Sequence, residues 1–287
     1  QNNVNGVVKR EGRTLGLSVL LMRNQTMNSP IGAIVVLENV TEVMRLQQIR
    51  TDFVANASHE LKTPIAAIRG FAETIIDDPG MEDEIRLHFI DRIRSQAARL
   101  DNIVQDLIQL SRVDSPVKVQ LDSDINLSSL LQQVFKAKSE DAVDSGVIMD
   151  IDVPTVPVIV KGERGALDQM VSNLLENAIK YSRQIDGQVH LRLAVQADVA
   201  IIEIEDDGIG IPAEEQQRIF ERFYRVDRAR SREQGGTGLG LSIVKHVAQS
   251  HRGSVSVTSK IGAGSIFVVR LPIARSGQSA SSPAVGG

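Results

Sequence analysis

The 287-residue chain contains no cysteine, which excludes disulfides, thiolate metal sites and cysteine nucleophiles and fits a reducing compartment. No apolar run approaches the roughly 20 residues that span a bilayer, and no stretch has the order of a signal peptide. Excess charge is also lacking. Lys and Arg number 32 against 36 Asp and Glu, a net of -4, so neither nucleic acid nor an anionic membrane is an expected partner. What is present is ordinary globular material, 42% hydrophobic and 24% charged, long enough for about two domains with separate cores. Position 1 is glutamine rather than methionine, so the chain reads as a piece of a longer protein, with any membrane anchor outside it.

Residues 1–40 read as short strands at Thr14 to Met22 and Ile31 to Leu37, rich in Val, Ile and Leu. Two strands do not make a stable domain, so this segment is expected to be the end of something larger. From Thr41 to Asp77 the pattern is helical; Asp77-Asp78-Pro79-Gly80 breaks it, and it resumes from Glu82 to Val113. Ile90, Ile93, Ala97, Leu100, Val104 and Leu107 keep a 3-4 spacing, as do Leu61, Ile65, Ile68, Ala72 and Ile75. That is the seam of a coiled-coil-like hairpin. A hairpin alone leaves its seam half covered, so residues 41–118 are expected to pair with a second copy as a four-helix bundle, a homodimer. Residues 119–274 mix helices (128–143, 164–182, 213–222, 238–251) with strands (147–153, 158–161, 188–196, 199–206, 253–259, 264–271). Strands joined by short turns, with helices in blocks, predict an α/β sandwich, helices on one face of a mixed sheet. Residues 275–287, rich in Ser, Gly and Ala, read as a disordered tail.

His59 lies in Ser58-His59-Glu60-Leu61-Lys62-Thr63-Pro64 on the first hairpin helix. It points about 200° away from Leu61 on the apolar seam, hence toward solvent. Glu60 can accept a hydrogen bond from one imidazole nitrogen and leave the other as a nucleophile, which is general-base assistance. Thr63 lies one turn along, where a hydroxyl can position a water against a phosphohistidine. Pro64 cannot donate to the Glu60 carbonyl, so a local bend is expected there. A lone histidine at such a place would be read as an ordinary exposed one; the company of Glu60, Thr63 and Pro64 weakens that reading.

Helix 164–182 carries Asn173, Asn177, Lys180 and Tyr181, spaced four, three and one so that they share a face opposite Leu167, Met170, Leu174 and Leu175. Two amides and an ammonium on one stripe suit a magnesium triphosphate, amide oxygen to metal and ammonium to phosphate; the plain alternative is a solvated face. Asp206-Asp207-Gly208-Ile209-Gly210 ends a strand, and a carboxylate before two close glycines can hold a base amino group. Gly235-Gly236-Thr237-Gly238-Leu239-Gly240-Leu241 runs into an apolar helix, offering free backbone N–H groups and the helix dipole to phosphate. It is neither a Gly-Lys-Ser phosphate loop nor a dinucleotide fingerprint. Phe220-Glu221-Arg222-Phe223-Tyr224-Arg225 and the polar stretch to Gln234 read as a mobile lid.

With these motifs in order, residues 41–274 closely resemble the sensor histidine kinases of two-component signalling. The resemblance implies a dimeric helical hairpin carrying the phosphoacceptor His59 and a Bergerat-type ATP-binding α/β sandwich shared with Hsp90, gyrase and MutL. It implies that Asp206 contacts the adenine amino group, with Gly208 and Gly210 shaping that turn. Asn177 would hold Mg2+ with Asn173 beside it. Lys180, Tyr181 and the stretch Gly236, Thr237, Gly238, Leu239, Gly240 and Leu241 would meet the phosphates, and Arg225 the γ-phosphate during transfer. Glu60 would be the kinase base and Thr63 the residue assisting dephosphorylation. Residues 1–40 resemble the last strands of a PAS sensor domain, with Glu38-Asn39-Val40-Thr41 where that family has Asp-hydrophobic-Thr. The implied activity is protein-histidine kinase: ATP-dependent phosphorylation of His59, then transfer to an aspartate on a response regulator receiver domain, with phosphatase activity toward that regulator. The implied location is the cytoplasmic part of a membrane-anchored bacterial sensor. A hydrolysing ATPase of the Hsp90 kind would use a carboxylate where Asn173 stands, and an amide takes no proton at neutral pH. A nucleotide-binding scaffold without activity would lack some of the motif residues; none is missing.

Overall fold

The computed structural model describes residues 3–10, 13–23, 30–113, 123–183, 185–226 and 237–274. The chain divides into two compact units, Gln1–Thr63 and Pro64–Gly287. The tail at 275–287 and most of the polar stretch expected to form a lid lie outside the described residues.

The first unit opens with an antiparallel meander of β1 (Asn3–Arg10), β2 (Arg13–Arg23) and β3 (Pro30–Asn39). β1 was not expected, because its two asparagines and a glycine disfavour a strand; pairing with β2, Val8 opposite Leu15, supplies what propensity lacks. Helix α1 (Thr41–Asp77) then starts against the sheet. The Thr41 hydroxyl accepts the Thr14 N–H at 2.8 Å and donates to the Asn39 side chain at 2.6 Å. The Val40 N–H donates to the Thr14 carbonyl at 2.9 Å. Asn39 thereby caps the helix start as an asparagine commonly does. Helical structure runs through Pro64 to Asp77.

In the second unit, the end of α1 and α2 (Asp83–Val113) fold back antiparallel about Asp78-Pro79-Gly80, with the Phe71 and Phe89 rings 5.8 Å apart. The hairpin alone leaves the expected seam largely open: Ile65 is 52%, Ile90 48% and Val104 39% exposed, whereas the fully buried Ile103 stands one residue off that seam.

The rest is the expected sandwich. A short ribbon pairs β4 (Asp124–Asn126) with β6 (Ile159–Lys161). The mixed sheet comprises β5 (Val147–Asp152), β7 (Gly187–Gln196), β8 (Val199–Asp206), β10 (Gly264–Pro272) and β9 (Ser254–Lys260), in that order, with only β5–β7 parallel. Helices α3 (Leu127–Asp144), α4 (Arg164–Tyr181) and α5 (Gly240–Ser250) cover one face. Alternation decides which. Val189, Leu191 and Leu193 on β7, Ala200, Ile202 and Ile204 on β8, and Phe267, Val269 and Leu271 on β10 are buried against Leu167, Met170, Leu174, Leu175 and Val244. Each such large side chain contributes about 1.5–3 kcal/mol. Asn126 caps α3 by accepting the Ser129 N–H at 3.2 Å.

The helix expected at 213–222 does not form; turns lead into a single 3-10 turn at Arg218–Phe220. Ten residues give few helical bonds against a costly nucleus. Here Gln216 is drawn off to donate to the Ile211 and Ser259 carbonyls at 3.1 and 2.8 Å.

Candidate functional site

On β8 the core-facing row runs Ala200, Ile202, Ile204, and its next member is Asp206. Strand alternation therefore drives a carboxylate onto the apolar face, where it is 5% exposed. Burial pushes its pKa up to about 6, opposed by the Gly208 and Ser265 N–H groups and reinforced by the Asp207 and Glu205 charges. Gly208 donates to Asp206 Oδ1 at 3.0 Å. A Cβ at Gly208 would fall 1.9 Å from the Tyr181 carbonyl oxygen, and Gly210 holds φ +73° with its would-be Cβ 2.1 Å from the Lys260 carbonyl oxygen. Only glycine lets this turn pack so closely against α4 and β9.

Asp206 lies in the wall of a cavity of about 650 Å³. From α4, Asn173, Asn177, Lys180 and Tyr181 all line it, as their common face requires. Asn173 is buried and bonded at both ends: Oδ1 accepts from Gln169 at 3.0 Å, and Nδ2 donates to the Gly240 carbonyl at 3.3 Å. Asn177 is half-buried and makes no side-chain hydrogen bond among the described residues. Its amide oxygen fits a hard cation that keeps water and phosphate as its other ligands, whereas the Asn173 oxygen is already engaged. The Lys180 ammonium stands 5.2 Å from the centre of the Tyr181 ring.

The opposite wall is the approach to α5. Thr237, Gly238, Gly240 and Leu241 line the cavity, and Leu239 is fully buried beneath them. Gly238 sits at φ +74°, with Phe223 donating its N–H to the Gly238 carbonyl at 2.8 Å. Gly236 lies outside the described residues. Arg225 and Tyr224 close another side; Tyr224 bonds to Glu215 and lies under the Arg218 guanidinium, 4.2 Å from its ring centre.

Three charged lining groups came from no sequence motif: Lys138 on α3, Glu176 on α4 and Asp106 on α2. Lys138 pairs with Glu176 at 2.7 Å and with Asp141 at 3.3 Å. Glu176 stands within the asparagine stripe, so helical spacing could have found it; Lys138 and Asp106 arrive from distant helices with no local signal.

The other sequence-chosen residues, His59, Glu60 and Thr63, lie in the first unit and are not among those lining the cavity. His59 is exposed on α1, as its position off the seam requires. Glu60 is half-buried, and the Thr63 hydroxyl donates to the His59 carbonyl at 3.1 Å.

Residues 49–116 match the His Kinase A (phospho-acceptor) domain, and residues 162–275 match the histidine kinase-, DNA gyrase B- and HSP90-like ATPase. A helical hairpin with an exposed histidine, followed by a sandwich ATPase domain, defines a phospho-acceptor protein with its own nucleotide domain. The chain belongs to the sensor histidine kinase family. Over 240 residues it is 37% identical to the sensor-like histidine kinase SenX3 of Mycolicibacterium smegmatis, covering 84% of this chain and 62% of that protein. Over 243 residues it is 34% identical to the sensor protein kinase WalK of Staphylococcus aureus, covering 84% of this chain and 58% of the relative. The match thus spans about three-fifths of those relatives' length. Among solved structures, the Acinetobacter baumannii histidine kinase AdeS superposes with a TM-score of 0.60 at 28% identity, over 75% of this chain and 98% of that one. Histidine kinase ThkA, solved in complex with response regulator protein TrrA, shares the fold with a TM-score of 0.63 at 20% identity, over 95% and 79%.

Proposed function

We propose that this chain binds MgATP in the 650 Å³ cavity and phosphorylates His59, from which the phosphoryl group passes to an aspartate of a response regulator. The observation that carries this reading is Asp206: a carboxylate kept on the core-facing row of β8 raises the cost of folding unless a ligand uses it. Its carboxylate, already bonded by backbone N–H groups, accepts a further hydrogen bond from the adenine amino group. Asn177 would hold Mg2+, which would neutralise phosphate charge. Asn173, fixed between Gln169 and Gly240, is a positioning residue that ties α4 to the start of α5. Lys180, Tyr181 and the amides of 236–241 bind the phosphates, and Arg225 reaches the γ-phosphate.

In the transfer step an imidazole nitrogen of His59 attacks the γ-phosphorus, the bond to the bridging oxygen breaks, and ADP leaves. Glu60 takes the hydrogen bond from the other nitrogen. The phosphoramidate then gives its phosphoryl group to a carboxylate oxygen of the regulator. Thr63 serves the reverse flow, releasing its bond to the His59 carbonyl to hold a water against the acyl phosphate. The protein works as a homodimer through the hairpin, and residues 1–40 are the end of a PAS-like sensor domain. Among the described residues no helix is long and apolar enough to cross a membrane.

The test is incubation with γ-labelled ATP followed by acid and alkali. Label stable to alkali and lost in acid marks a histidine phosphoramidate. His59→Gln should carry none while binding ATP as before. Thr63→Ala should keep autokinase activity and lose phosphatase activity, and Glu60→Ala should lose autokinase activity by about 10²–10⁴-fold. Label retained on His59→Gln would place the acceptor elsewhere.

A further inference from the structure

The start of α5 does not end on solvent. The Leu239 N–H donates to the Thr237 hydroxyl at 3.2 Å, and that hydroxyl donates to Asp106 Oδ2 of α2 at 2.7 Å. Asn102, Gln105 and Asp106 form one wall of the cavity, so α2 supplies an acidic group to it. Among the described residues no cation pairs with that carboxylate. Lys138, the cation on the α3 side, is held by Glu176 and Asp141, and Glu176 itself adds like charge beside Asp106. The remaining charged lining groups are Lys180, Asp206 and Arg225. The carboxyl of Asp106 is pushed up by burial and by Glu176, against the pull of the Thr237 bond. A site that had only to attract phosphate would hold a cation or a neutral donor here.

We propose that Asp106 is a specificity-determining residue of the nucleotide site, disfavouring the triphosphate relative to the diphosphate while α2 lies against α5. The inference rests on the reading of the cavity as an ATP site. ATP and ADP share every contact except those of the γ-phosphate, so a carboxylate bonded to the phosphate-binding turn acts mainly on the one group that distinguishes them. The arrangement described here therefore retains ADP, the product, in preference to the substrate. For ATP to bind at full strength, the bond between Thr237 and Asp106 has to part.

The experiment is calorimetric titration of the intact chain with Mg-ADP and with a non-hydrolysable ATP analogue. Asp106→Asn keeps an oxygen to accept the Thr237 proton and removes only the charge. It should tighten triphosphate binding about five- to tenfold and move ADP by less than about twofold. Asp101→Asn, an exposed acid five residues earlier on the same helix, makes the same change in net charge and should leave the ratio unaltered. ADP binding by Asp106→Asn reports that the fold is intact. Equal shifts for both nucleotides, or no shift, would overturn the proposal. If the unaltered chain bound neither nucleotide, the reading of the cavity itself would fall first.

Discussion

A single carboxylate shows how function is bought against stability at the scale of one residue. Asp206 is held near pH 6 by burial, above the ordinary 3.8 of its side chain. The folded state therefore binds its proton more tightly than the unfolded one. That stabilisation is complete below about 3.8 and is lost as pH rises through about 6. Above that range the empty domain carries a buried charge. Asp206→Asn should therefore stabilise the nucleotide-free protein at pH 7–8 by up to roughly 3 kcal/mol, a gain that disappears near pH 4. The same variant should bind ATP about 10- to 150-fold more weakly, since it loses a charge-assisted bond worth about 1.5–3 kcal/mol. Denaturant midpoints at the two pH values and a calorimetric titration measure the two effects. A variant weaker in both respects would mean the carboxylate is structural.

At the scale of elements, the C-terminal end of α5 is clamped to the start of α4. His251 is buried, sharing Nδ1–H with the Val247 carbonyl at 2.8 Å and accepting the Glu163 N–H on Nε2 at 3.1 Å. A Cβ on Gly162 would lie 2.4 Å from the His251 ring. Gly162→Ala should cost about 1–3 kcal/mol by overpacking, and His251→Ala should relieve part of that cost, so the pair should be non-additive in urea unfolding. Burial lowers the histidine's pKa, countered by the Val247 carbonyl and the Glu163 charge. Its contribution is thus present above the ordinary 6.5 and lost as pH falls through the lowered value. Such links explain what the sequence could and could not disclose. β8 was read to the residue because alternation marks both ends, and the asparagine stripe followed from helical spacing alone. The ring of His251 meets Glu163 across 88 residues, and Thr237 meets Asp106 across 131. No local pattern encodes those pairings. The short helix expected at 213–222 and the missed β1 and β4 failed for the same reason: tertiary partners outweighed intrinsic propensity.

At the scale of the molecule, the hairpin presents apolar side chains that this chain alone leaves uncovered. Ile65 and Ile90 are about half exposed, and Ile85, Leu87 and Ile108 are exposed with them. A second copy buries such a stripe by supplying the same stripe. Ile90→Glu should therefore convert the proposed dimer to a monomer in sedimentation velocity while leaving nucleotide binding in place, since Ile90 does not line the cavity. An unaltered dimer would mean that the subunits meet through another surface.

The joint at Thr41 also sets a dial. His59 follows Thr41 by 18 residues on one unbroken helix, and at about 100° each those steps make about five whole turns, about 27 Å along the axis. The His59 imidazole thus leaves the helix on nearly the same bearing as the threonine that is tied to Thr14 in the sheet. A twist or tilt of the strands about Thr14 is transmitted to the histidine as a change of compass heading rather than of height. Adding one residue in between would swing that heading by about 100°, whereas adding seven would return it to within about 20°.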